Sequence, residues 1–229
     1  MIVMIVSSPK NYKSTTIRAY DVISDVYKKE NYEPDFWLNE FKILLRLMKR
    51  NGAKVKESRF LDLGCGTGRD AHLAINTGMK YVGVDLSKGM LSVARRRVKR
   101  ANFLEMDATE LRLEDSEFDV LWAAAILLHF NSYDLRKALK EIGRVLKPGS
   151  FAFISVQKRQ KGDKVKLMKK SVKDRKTVRR YFALYTKREF KRILERAGFN
   201  VIKATSKIEP EGEKEWLCFF VKNRKRNKS

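Results

Sequence analysis

The residues with the most chemistry in them sit in two short runs. Phe60-Leu61-Asp62-Leu63-Gly64-Cys65-Gly66-Thr67-Gly68 carries an acid and then alternating glycines, and Gly83-Val84-Asp85-Leu86-Ser87 carries a second acid. Glycine at every second position lets the backbone take unusual torsions and approach a ligand closely. Asp85 follows the first glycine by roughly 20 residues, the usual offset for an acid that accepts hydrogen bonds from ribose hydroxyls. Asp62 stands two residues ahead of that glycine. A carboxylate there suits a cationic amino-acid ligand and would repel a pyrophosphate. The dinucleotide pattern is G-x-G-x-x-G, whereas Gly-Cys-Gly-Thr-Gly-Arg brings the third glycine one place early and puts Arg69 in its usual position.

Alternating strands and helices must position these groups. Residues 60–63 are short and apolar and read as a buried strand. Ala71, Leu73, Ala74 and Ile75 suit a helix ending near Gly78, and Val82–Val84 supply the next strand. Ser87 is a candidate N-cap for a helix through Val98. Further strands are expected at Asn102–Met106, Phe118–Ala123 and Phe151–Val156. Between the last two, an amphipathic helix over Tyr133–Leu146 is expected to stop at Pro148-Gly149. Thr186 and Gly198 bracket a later helix, and Phe199–Ala204 with Trp216–Val221 read as a closing pair of strands. Residues 15–50 read as helical, with one stripe at Tyr20, Ile23 and Tyr27 and another at Phe36, Trp37, Phe41, Leu44, Leu45 and Met48. Pro34 suits the start of the second helix. This segment is expected to cap the sheet edge or the ligand. The alternation defines an α/β, doubly wound, mostly parallel sheet with an N-terminal helical cap.

The D-x-G-x-G-x-G run and the second acid resemble the cofactor site of class I S-adenosylmethionine-dependent methyltransferases. The likeness extends over residues 59–221 through Asp107-Ala108, Phe118-Asp119-Val120, Leu127-Leu128-His129-Phe130, Leu146-Lys147-Pro148-Gly149-Ser150 and Ala197-Gly198-Phe199. Ser150 replaces the second glycine of the family's L-K-P-G-G turn. The resemblance implies a seven-stranded sheet of order 3-2-1-4-5-7-6 with strand seven antiparallel. It implies S-adenosylmethionine as cofactor and S-adenosylhomocysteine as product. It divides the chain into a helical cap at 1–58, a cofactor domain at 59–221 with a basic insertion at 158–185, and a tail at 222–229. The residues expected to hold the cofactor are Asp62, Gly64, Cys65, Gly66, Thr67, Gly68, Arg69, Asp85, Leu86, Ser87, Asp107, Ala108 and Ala123, with Tyr20 and Tyr27 covering it.

Methyl transfer from a sulfonium asks mainly for positioning and exclusion of water. A general base is needed only when the acceptor holds its proton near neutral pH. His129, after the fourth strand, is the candidate base; the other reading is a histidine that hydrogen-bonds backbone. His72, on the helix after the glycine turn, reads as an ordinary surface or packing residue. Tyr181 and Tyr185 line an acceptor pocket or belong to the core. Ala123-Ala124-Ala125-Ile126 stands where base-amine methylases carry Asn-Pro-Pro-Tyr. Cys65 and Cys218 are not placed to attack a pyrimidine ring, which disfavours covalent carbon-5 methylation. Oxygen, other nitrogen, sulfur and arsenic acceptors stay open.

Two separated cysteines give neither a disulfide framework nor a metal cluster, and a reducing, cytoplasmic setting fits. No stretch reaches membrane-spanning length. The formal net charge of +24 admits an RNA partner or a basic surface with no partner. Its densest sources are 95–100, 158–180 and 222–228, and within 158–180 only Asp163 and Asp174 are acidic. The acceptor is therefore a small molecule or RNA. The alternative to an enzyme is a silent cofactor-binding protein or a basic RNA-binding adaptor on the same fold. Oligomeric state is not readable.

Overall fold

The computed structural model describes residues 11–30, 35–160, 162, 164–171, 177–210 and 214–224. Seven strands form one sheet in the order β3-β2-β1-β4-β5-β9-β8. They are β1 (Arg59–Leu63), β2 (Lys80–Asp85), β3 (Asn102–Glu105), β4 (Phe118–Ala124), β5 (Leu146–Gln157), β8 (Phe199–Ile208) and β9 (Glu215–Asn223). The first five run parallel, and β9 is antiparallel to both β5 and β8. This is the order the resemblance implied. The direction of winding reverses between β1 and β4, so their carboxyl ends open the crevice where open α/β sheets bind ligands.

Burial explains the central strands. Phe60, Leu61 and Leu63 of β1 and Val120–Ala123 of β4 are buried on both faces, as the near-continuous apolar runs required. Between strands lie α3 (Ala71–Ile75), α4 (Lys88–Arg97) and α5 (Ser132–Val145), and α6 (Lys187–Arg196) follows later. The Ser87 hydroxyl accepts from Met90 N and caps α4 as expected. Thr186 and Glu189 form a reciprocal capping box on α6. Pro148-Gly149 does not end α5. The helix stops at Val145, and β5 already begins at Leu146. The register jumps from the pair Phe118–Leu146 to Val120–Phe151, and Gly149 with φ +82° sits inside that irregularity.

The N-terminal segment forms α1 (Tyr12–Glu30) and α2 (Leu38–Arg50); Pro34 lies outside the described residues. The expected cap at the sheet edge is not what α2 makes. It lies on the sheet face, with Phe41 against the rings of Phe60 and Trp122 at 6.2 and 5.8 Å. Just ahead of it, Trp37 packs against Phe153 and Trp216. A stripe of this width needs a broad apolar partner, and the sheet face offers one.

α1 instead bridges the carboxyl ends of the strands. Asp21 Oδ1 accepts from Ser87 Oγ at 2.7 Å and Gly89 N at 2.9 Å, at the start of α4. Lys13 pairs with Asp107, just beyond β3. Thr16 Oγ1 accepts from Tyr181 N at 3.0 Å, and the Tyr12 hydroxyl donates to Asp134.

Tyr181 belongs to the basic segment, which is not a simple loop. Val165–Ser171 (β6) and Thr177–Ala183 (β7) pair as an antiparallel hairpin, with Met168 opposite Arg180. Residues 161, 163 and 172–176 of that segment, and 225–228 of the basic tail, lie outside the described residues.

Candidate active site

The glycine turn and the second acid meet as their spacing required. Asp85 Oδ2 accepts from Gly66 N at 2.9 Å, and its Oδ1 accepts from Ser87 N at 2.9 Å. Burial pushes the Asp85 carboxyl up, against the pull of backbone N–H groups at Ser87, Gly66 and Leu86. Two carboxylate oxygens offer about four acceptor sites, so capacity remains for a ligand. Gly66 has φ +53°, and a Cβ there would meet nothing within 4 Å. Its backbone therefore faces open cavity.

That cavity is about 580 Å³ and runs under α1, within the size range of small-molecule sites. Of the expected cofactor residues, Asp62, Gly64, Cys65, Gly66, Thr67, Arg69, Asp85, Leu86, Ser87, Asp107, Ala108, Tyr20 and Tyr27 line it. Gly68 and Ala123 are not among its lining residues. A Cβ on Gly68 would press on the Phe103 ring at 3.0 Å and on Ala94 at 3.4 Å, and its φ of +69° favours glycine. Ala123 is wholly buried within β4, and Ala124 and Ala125 reach the cavity in its place.

Three further aspartates line the cavity, and their partners differ. Asp70, which the sequence reading missed, takes Arg69 in two contacts of 2.6 and 3.1 Å and the Trp122 indole N–H at 3.1 Å. Asp62 accepts only the Tyr81 hydroxyl, at 2.7 Å, and no basic side chain among the described residues pairs with it. Burial, followed by the nearby charge of Asp70, pushes Asp62 up to about 8. A buried carboxylate without a cation is a site for a cationic group. Asp107 differs again. Burial alone would raise it, but Lys13 and the Thr109 N–H and hydroxyl hold it below the usual carboxylate range.

His129 closes a 3-10 turn after β4 and is buried. Its Nδ1 lies 2.8 Å from the Tyr181 carbonyl oxygen, which can only accept, so Nδ1 carries the proton. Nε2, 2.8 Å from the Tyr20 hydroxyl, then accepts from it. Burial pushes His129 down to about 4. Its lone pair is occupied, and at neutral pH it is a weak proton sink. Both readings of the sequence thus share one residue: His129 faces the cavity and also bonds backbone. Tyr181 and Tyr185 belong to the core. Tyr181 packs on Tyr12 at 4.7 Å, and Tyr185 packs on Phe190 at 4.9 Å.

This geometry fixes a pH dependence. A histidine depressed by burial contributes stability that is present above its unfolded value, about 6.5, and lost as pH falls toward 4. Wild type is expected to lose about 3 kcal/mol more than His129→Gln over that window. Urea melts at pH 7, 5.5 and 4.5 measure it, and parallel losses in both proteins would contradict the burial.

The fold defines the class: this is the class I S-adenosylmethionine-dependent methyltransferase fold. Residues 61–154 match the family model of a methyltransferase domain. A demethylmenaquinone methyltransferase of Clavibacter sepedonicus is 41% identical over 103 residues, covering 42% of this chain and 40% of that protein. The chain thus spans about two-fifths of the length of that curated relative. The solved 1,6-didemethyltoxoflavin-N1-methyltransferase of Burkholderia thailandensis, with 1,6-didemethyltoxoflavin and S-adenosylhomocysteine bound, superposes with TM-score 0.74 at 18% identity. That match covers 97% of this chain and 93% of the other. The [4+2]-cyclase SpnF superposes with TM-score 0.70 at 17% identity, covering 95% and 98%. At these identities the likeness establishes fold alone, and a cyclase shares it, so the reaction must be argued from the site.

The sequence reading missed Asp21, Asp70, Tyr81 and Arg180. Among the described residues no group of three or more His, Cys, Asp or Glu side chains is placed to hold a metal, and no helix is long and apolar enough to cross a membrane.

Proposed function

We propose that the chain is an S-adenosylmethionine-dependent methyltransferase that acts on a small-molecule acceptor in a reducing, cytoplasmic setting. The observation that carries this reading is Asp62, a buried carboxylate lacking a cation, on the wall that also presents Asp85 and the open backbone of Gly66. A nucleoside with a cationic amino-acid arm answers all three. When bound, S-adenosylmethionine supplies a sulfonium methyl, an electrophile that needs an aligned nucleophile and no metal. Asp62 binds the ammonium group and Asp85 the ribose hydroxyls. Met106 and Ala108 give the base an apolar wall, while Asp107 is spent on Lys13 and Thr109. α1 excludes water by spanning the strand ends. Tyr20 and His129 fix the acceptor end of the cavity and leave no free base there.

The same features support a small acceptor over RNA. The aromatic walls Phe36, Trp37, Phe182 and Trp216 suit an apolar ring. Part of the basic run is neutralised within the chain, with Lys158 on Glu215 and Arg159 on Glu189. The similarity to a demethylmenaquinone methyltransferase points the same way. Both cysteines are free and buried, in keeping with a reducing compartment.

Turnover of methyl-labelled S-adenosylmethionine with fractionated cell extract tests the proposal. Label is expected in a small-molecule fraction and to survive RNase. RNA fragments are expected to show no measurable affinity at about 0.15 M salt. RNase-sensitive labelling would transfer the reading to RNA. Cofactor binding without turnover in any fraction would leave a silent binding protein.

A further inference from the structure

Most cations on the cavity wall have an anion of their own. Lys13 has Asp107, Arg69 has Asp70 and Lys214 has Glu209. Arg180 has none among the described residues. Its guanidinium carbon lies 5.3 Å from the Tyr20 ring centroid and 5.4 Å from that of Phe182. Cation–π contact with two rings holds the planar group in one orientation. Nη1 approaches the Tyr20 hydroxyl at 3.4 Å, while Nε is buried and has no hydrogen-bond partner. The guanidinium lines the cavity with no carboxylate beside it among the described residues, and an anion bound there would supply one.

The neighbouring hydrogen bonds say in what state an acceptor enters. The chain of donors runs from Arg180 to Tyr20, from Tyr20 to His129 Nε2, and from His129 Nδ1 to the Tyr181 carbonyl. The Tyr20 and His129 protons are both committed within it, and the His129 lone pair is already used. A neutral hydroxyl would find no free lone pair on His129. An oxyanion would meet Arg180, which has no anion beside it among the described residues.

We propose that the acceptor binds as an oxyanion, the phenolate or enolate of a flat conjugated ring, with its charged oxygen on Arg180 and its ring among Tyr20, Phe182 and the neighbouring aromatic walls. On binding, the acceptor O–H bond breaks, its electron pair stays on oxygen, and the proton leaves to bulk solvent. Arg180 is then the residue that selects acidic hydroxyls over alcohols and amines. The inference rests on the methyltransferase reading and adds the substrate class to it.

4-Nitrophenol, whose phenolate absorbs in the visible, is the probe. The chain is saturated with S-adenosylhomocysteine and the probe is titrated from pH 5 to 9. Bound probe is expected to ionise at least one pH unit below free probe, a tenfold larger ionised fraction on the acid side. Arg180→Gln is expected to abolish the shift, and Arg180→Lys to keep part of it. Both variants should hold S-adenosylhomocysteine within twofold of wild type by calorimetry, which also shows that they are folded. An unshifted bound probe, no probe binding to the loaded wild type, or a full shift in Arg180→Gln would each overturn the proposal. Failure of wild type to bind S-adenosylhomocysteine would overturn the cofactor reading itself, and the first titration separates the two failures.

Discussion

Replacing Asp85 with asparagine is expected to weaken S-adenosylhomocysteine binding by about a hundredfold, some 2.7 kcal/mol. The carboxylate already accepts from Gly66 N and Ser87 N, which aims its remaining lone pairs into the cavity. Hydrogen bonds to a charged acceptor contribute about 1.5–3 kcal/mol each, and two ribose hydroxyls are at stake. Asparagine keeps one carbonyl oxygen and nearly the same shape, so the turn should survive with a modest fall in melting temperature. Asp85→Ala is a harsher change. It strips acceptors from both backbone N–H groups, at about 1–3 kcal/mol for each one left buried and unpaired. The alanine variant should therefore lose stability as well as affinity, and the asparagine variant mainly affinity. Calorimetry on each, with thermal melts alongside, separates the effects. Unchanged affinity in a folded asparagine variant would remove Asp85 from the ribose site.

The pair Asp62 and Asp85 was legible because short-range spacing fixes it. Five residues of β1 and six of β2 leave few ways to arrange a turn and two acids. The identity of each glycine's task was not legible. Gly66 faces open space, while Gly68 is held by Phe103 and Ala94, which approach from β3 and α4. The stripe on α2 was read correctly as apolar, but periodicity names the buried side of a helix and not what it lies against. Asp21 and Asp70 were missed for a related reason. Their partners stand 66 and 52 residues away, at Ser87 and Trp122, and no local pattern announces them. Arg180 was hidden by its own neighbours. Within a run so basic, the alternation that turns Arg180 toward Tyr20 is masked, and only the pairing of β6 with β7 reveals the hairpin.

Binding of S-adenosylhomocysteine is expected to tighten as pH rises from 6 to 8 and then level off. Asp62 is pushed up to about 8 by burial and then by Asp70, so in the free protein it holds its proton at neutral pH. To receive the ligand's ammonium group it must ionise, and each pH unit below 8 then costs up to tenfold in affinity. Calorimetry at pH 7 in buffers of different ionisation enthalpy should report close to one proton released per ligand bound. Asp62→Asn should release none, bind more weakly, and show no such slope. The stability of the free protein carries the opposite sign. A carboxyl raised on folding contributes stability that is complete below its unfolded value, about 3.9, and lost as pH rises through its folded value, about 8. Free wild type should therefore lose ground to Asp62→Asn between those limits, and saturating ligand should restore it, because the ammonium group supplies the missing cation. A proton release near zero at pH 7, with affinity flat from pH 6 to 8, would mean that Asp62 is already ionised in the free protein and that a cation other than the ligand compensates it.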